Sequence, residues 1–155
     1  MAIYSARSRS TIVTASANAP LFSFRQIDNA PAWIREIRLF SKTAPVTSGS
    51  IGLARSTALG TGTLTTALGV PRDPNGIATS SGIVTNWATA VPSIGTVFDD
   101  FTSSASLGNA MLWTFDPLKP LILVGNAAAT SELVFVNLDG TAPGTYDIVV
   151  VWENS

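Results

Sequence analysis

The stretch Thr145-Tyr-Asp-Ile-Val-Val-Val-Trp152 decides the fold class. In an extended chain Tyr146, Ile148, Val150 and Trp152 share one face, and Asp147, Val149, Val151 and Glu153 share the other. The β-branched run and the period of two favour a strand over a helix. Both faces are apolar in the middle, the mark of a strand covered on both sides. A loop or a partner subunit would supply the second cover.

Working outward, the same kind of segment recurs. Glu132-Leu-Val-Phe-Val-Asn137, Leu121-Ile-Leu-Val124, Ala110-Met-Leu-Trp-Thr-Phe115, Thr96-Val-Phe98 and Ile83-Val-Thr-Asn-Trp-Ala-Thr-Ala90 read as strands. So do Ser50–Ser56, with small Gly52 and Ala54 on one face, and Leu21–Ile27. Trp33-Ile-Arg-Glu-Ile-Arg-Leu-Phe40 reads as a long strand, although Ile34, Ile37 and Leu39 fit neither period cleanly. Leu138-Asp-Gly-Thr-Ala-Pro-Gly144 is expected to join the last two strands as a hairpin-type connection. Ala58–Ala78, with Gly60-Thr-Gly62 and the turn chemistry of Pro71-Arg-Asp-Pro-Asn-Gly76, reads as a long surface loop. Such loops are uncommon unless they bind something or bridge subunits. The pattern predicts an all-β fold, a jelly-roll-like sandwich or barrel of about eight to ten antiparallel strands. Residues 1–155 form one domain in this reading, with 1–14 either an ordinary first strand or an N-terminal arm reaching a neighbour.

Composition narrows the function. The chain has no cysteine and no histidine. Disulfides, thiolate metal sites, cysteine nucleophiles and the commonest general base are therefore excluded. A serine nucleophile would need Lys42 or Lys119 as base, and nothing in the sequence places either beside one. No catalytic, cofactor-binding or metal-binding residue is assigned, and no enzyme is expected. Asp99-Asp100 is the only adjacent acidic pair; solvated acids in a turn are the expectation. Asp73–Gly76 and Asn137–Gly140 lack calcium-loop spacing, and Gly60-Thr-Gly62 lacks the third glycine of a dinucleotide fingerprint.

Charged residues make up 12% of the chain against 46% hydrophobic, with a net charge of −1. So sparse a charge suits a surface meant to be covered by other subunits, because interface cores are depleted in charge. The charge is also uneven. Eight of the nine Lys and Arg precede Asp73, whereas eight of the ten acids lie from Asp73 onward. These charges either neutralise within a subunit or make it bipolar, able to dock head to side on a neighbour. Basic residues are too scattered for a nucleic-acid face. Apolar runs of four or five residues are too short to span a membrane, and no signal peptide is read after Arg7 and Arg9. Trp33, Trp87, Trp113 and Trp152 are expected in the core, with a sugar-stacking row as the alternative.

The segments Trp33–Phe40, Gly52-Leu-Ala-Arg-Ser-Thr-Ala-Leu-Gly60, Asp73-Pro-Asn, Thr85-Asn-Trp-Ala-Thr-Ala90 and Met111-Leu-Trp-Thr-Phe115 resemble those of small virion structural proteins of tailed bacteriophages. The resemblance covers most of the chain and implies a capsid decoration (cement) protein. It implies a homotrimer, made in the host bacterial cytoplasm and placed on the capsid surface, that bridges major capsid protein subunits without any cofactor. A host-surface glycan-binding module of a tail or fibre is the alternative.

Overall fold

The computed structural model describes residues 2–10, 16–43, 49–61, 64–103, 110–126, 128–141 and 144–154. Among them there is no helix. There are twelve strands: β1 (Ala2–Arg9), β2 (Ala19–Arg25), β3 (Ala32–Ser41), β4 (Gly49–Ala58), β5 (Leu64–Leu68), β6 (Val70–Pro71), β7 (Gly82–Trp87), β8 (Ser93–Ser103), β9 (Ala110–Thr114), β10 (Leu121–Leu123), β11 (Glu132–Asn137) and β12 (Tyr146–Asn154). Two six-stranded antiparallel sheets pack as a sandwich, consistent with a jelly-roll-like all-β fold. The first has the order β10-β3-β12-β1-β6, with β9 also on β3, and the second β5-β7-β2-β11-β4-β8.

The core lies between the inner faces. Trp152, Tyr146, Phe22, Phe24, Phe135, Ile34, Ile37 and Leu39 are all but fully buried there. Trp152 stacks on Tyr4 at 5.5 Å and meets Phe24 at 4.6 Å, tying the two sheets together. The expected alternation of β12 holds: Tyr146, Ile148, Val150 and Trp152 all point inward. Its neighbours β1 and β3 flank it over nearly its whole length. Its outward Val151 is also buried.

The irregular period of Trp33–Phe40 has a simple cause. Val151 pairs with Glu36 but Trp152 pairs with Ile34, so Arg35 is an extra residue in β3. This β-bulge resets the phase. Ile34 before it and Ile37 and Leu39 after it all reach the core.

Several expectations are corrected. Twelve strands replace the predicted eight to ten, because two short edge strands are added. Ala58–Ala78 is not one long loop: it holds the end of β4, β5 and β6. Leu64-Thr-Thr-Ala-Leu68 pairs along β7, and Gly69 then turns the chain across the sandwich edge so that β6 pairs with β1. A Cβ on Gly69 would overlap the Trp152 indole, so only glycine lets the corner close over that ring. Leu138–Gly144 is not a hairpin connection either. β11 lies in the second sheet and β12 in the first, so the segment crosses the sandwich. Asn137 Nδ2 donates to Thr141 O at 2.7 Å, Asp139 accepts from Ser50 N, and Gly140 takes φ 68°. Residues 142 and 143 lie outside the described residues. Of the anticipated arm, Ala2–Arg9 is strand β1, paired with β12 over eight positions, while 11–14 lie outside the described residues.

Candidate interaction surface

The outward faces of the two sheets differ. The second sheet covers much of its own. Val134, Val136 and Ala54 are buried beneath Ile94, Val97 and Leu138, and Gly52 leaves room for Val97 and Leu138. Beside them Glu132 is fully buried. Its carboxylate accepts from Arg25 Nη2 at 2.8 Å, from Trp87 Nε1 at 3.2 Å, from Gly60 N at 3.2 Å and from the Ser23 hydroxyl. Arg25 also donates to Gly60 O at 2.8 Å. Both charges thus lie under the strand-end loop at Gly60, and four donors satisfy the carboxylate. The cluster acts as a polar lock between β2, β4, β7 and β11.

A second polar cluster closes one end of the sandwich. Asp28 accepts from the Thr79 hydroxyl, from Ser80 N at 3.0 Å and from Asn154 Nδ2 at 3.2 Å. Burial pulls its pKa upward, but these hydrogen bonds and one from Ser81 outweigh it and hold the carboxyl below the usual carboxylate range.

The first sheet leaves much of its outer side exposed among the described residues. Period two and the register place Phe40, Arg38 and Glu36 of β3 outward, with Leu112 of β9, Val149 and Asp147 of β12, and Arg7 and Arg9 of β1. Val70 and Arg72 continue the face at one edge, and Ile122 ends it at the other. Large apolar side chains stand in water here: Phe40 is 44% exposed, Leu112 57% and Val70 65%. All three acids of the face carry an arginine: Asp147 takes Arg9 at 2.6 Å, Glu153 takes Arg35, and Glu36 takes Arg38. Hydrogen bonding from Arg9 holds the Asp147 carboxyl below its ordinary range; burial opposes this, and the charges of Arg9, Lys42 and Arg7 add to it. Arg7 and Arg72 form no ion pair among the described residues, so the face is left net positive. Shallow grooves of about 370, 310 and 320 Å³ run between these side chains.

The residues singled out from sequence scatter over the fold. Asp99 and Asp100 are not in a turn but on β8, the outer strand of the second sheet, and both are exposed. Being neighbours on a strand, they point to opposite sides and do not form a joint acid pair. Asp73–Gly76 is a turn closed by Gly76 N donating to Asp73 O at 2.9 Å. Lys119 ends a turn with Asp116, and Lys42 sits just past β3, far along the chain from it. Among the described residues no group of three or more acids could hold a metal ion. Trp87, Trp113 and Trp152 are buried, and Trp33 is half-buried on the outer face with the Arg35 guanidinium 5.7 Å from its ring. Two functional features escaped the sequence. The apolar and arginine residues of the outer face come from six separate strands. The Arg25–Glu132 pair is separated by 107 positions. A carboxylate opening an apolar run was the only local signal for the pair.

Comparison of the chain with family models and with curated proteins finds no match.

Proposed function

We propose that the protein is a non-enzymatic structural subunit of a virion, of the capsid decoration (cement) type. In this role it sits as a homotrimer on the capsid surface and bridges major capsid protein subunits. One observation carries the proposal: the outer face of the first sheet, where Phe40, Leu112, Val70 and Ile3 are exposed among paired arginines. Large exposed apolar side chains rimmed by polar groups mark interaction sites; Phe40 and Leu112 line one groove of this face and Val70 another. The rest of the molecule supports such a role. Buried polar clusters brace the sandwich that presents the face, and binding to an assembled shell stabilises that shell by mass action. The resemblance to small phage virion proteins chooses the capsid among possible assemblies.

The test is attachment. Purified protein is added to particles lacking it and the sedimented fraction measured. Saturable binding, lost in Phe40→Asp/Leu112→Asp, is the expected result; no binding at any concentration overturns the proposal. The glycan-binding alternative rests on Trp33, the one tryptophan with an accessible ring. It predicts a sugar-dependent change in emission that Trp33→Ala abolishes, and a blank glycan array removes it.

A further inference from the structure

Among the described residues, two sets of charges without ion pairs lie on opposite edges of the sandwich. At one edge β5, β6 and β1 form a groove of about 310 Å³. Leu68, Val70 and Val149 supply its apolar lining, and Arg7 and Arg72 stand over it. Leu68 is 56% exposed. At the other edge β8 presents Phe98-Asp99-Asp100, with Phe98 46% exposed and both acids in water. Neither acid is ion-paired among the described residues. Asp73, the acid nearest Arg72 in sequence, is engaged in its own turn, accepting from Asn75 N at 2.9 Å. The strand orders place groove and acidic strand apart: β5 and β8 end the second sheet, while β6 ends the first. Phe101 of β8 packs edge-on against Trp113 of β9, which fixes that edge on the far side from β6.

One copy therefore cannot bring its own two edges together, but two copies can. We infer that Phe98-Asp99-Asp100 of one copy docks in the Arg7/Arg72 groove of the next. The strand enters edge-on, so that the aromatic ring meets the apolar lining while Asp99 and Asp100, on its two sides, each meet one guanidinium, the charge-assisted contact arginine favours. Because lock and key are different surfaces on opposite edges, the contact is head-to-tail. Repeated, it closes a ring or grows a filament. Closure after three steps gives the trimer of the proposed function, on which this inference rests for the ring size. Arg9–Asp147, Arg25–Glu132 and Arg35–Glu153 neutralise part of the basic first half against the acidic second half within one copy; the contact would use charges left over. It also gives β8 a reason to carry two acids. They and the register shifts against β4 keep its free edge from pairing directly with another β8.

The experiment is native mass by light scattering on a sizing column, with circular dichroism confirming the fold of each variant. Wild type is expected at three times the subunit mass. Arg7→Glu/Arg72→Glu and Asp99→Arg/Asp100→Arg are each expected to run as monomers. The four substitutions combined exchange the charges across the contact and should restore the trimer. Salt raised from about 0.1 to about 1 M shrinks the screening length from ~10 to ~3 Å and should weaken the assembly. A wild type monomeric at all accessible concentrations, or either double variant assembling as wild type does, overturns the inference. The attachment assay separates this from the proposed function. Monomers that still bind particles sink the self-contact alone; trimers that bind none sink the capsid role alone.

Discussion

Replacing Glu132 with glutamine should be among the most damaging conservative changes in the protein. The carboxylate is fully buried, and it faces donors only: Arg25 Nη2, Trp87 Nε1, Gly60 N and the Ser23 hydroxyl. Glutamine keeps the volume but removes the charge that balances Arg25, whose side chain is 8% exposed. It also turns an NH2 group toward donors already in place. Breaking a buried ion pair from one side costs about 3–5 kcal/mol, because the partner charge stays behind unpaired. For a chain of this length that lowers the melting temperature by roughly 6–20 °C, at about 2–4 °C per kcal/mol. Denaturant unfolding followed by tryptophan emission measures it, Trp87 reporting from within the cluster. The arginine should be harmless only when the carboxylate is present. Arg25→Met/Glu132→Leu should thus lose less than the sum of the single variants, with a coupling of about 1–3 kcal/mol. It should not return to wild type, since Ser23, Gly60 and Trp87 keep unmatched polar groups at about 1–3 kcal/mol each. A Glu132→Gln variant within about 1 kcal/mol of wild type, with no coupling to Arg25, would refute the description of this cluster as a buried lock.

Three further outcomes follow from other parts of the molecule. Gly69→Ala should destabilise by about 1–3 kcal/mol, because the new methyl strikes the fully buried Trp152 ring; a gain in stability by thermal melting would show that the corner has room. Asp28 has a lowered pKa in the folded state, so its contribution is present above the unfolded value of about 3.9 and is lost as pH falls through the folded one. Asp28→Asn should therefore flatten the acid limb of the stability–pH profile below about pH 4, and an unchanged limb would remove Asp28 as its source. Among the described residues no two consecutive strands are paired with each other, so the ladders close long loops. Stopped-flow refolding should fall at the slow, millisecond-to-second end of the two-state range or beyond, and microsecond folding would contradict this topology.

The tryptophans show how far local sequence reaches. Trp87, Trp113 and Trp152 were expected in the core from their apolar neighbours, and each is buried. Trp33 has neighbours of the same kind and is half-buried on the outer face, because the Arg35 bulge sets which side of β3 each residue takes. A bulge is decided by the partner strand, and no spacing within Trp33–Phe40 announces it.

The amino-acid sequence by itself determined the all-β class, the position of most strands and the turn at Asp73–Gly76. Those depend on the two-residue period, β-branched side chains and local turn chemistry, all of which act over a few neighbouring residues. It also determined the absence of histidine and cysteine chemistry and the uneven charge. Only the tertiary structure decided that Ala58–Ala78 folds into edge strands, that Leu138–Gly144 crosses between sheets, and that Glu132 meets Arg25. It alone gathered Phe40, Leu112, Val70 and the arginines onto one face, and set Phe98–Asp100 on the edge opposite Arg7 and Arg72. The reason is physical: in this sandwich every strand finds its partners far along the chain. Which surfaces meet, and which are left over for another molecule, is therefore a property of the pairing and not of any segment.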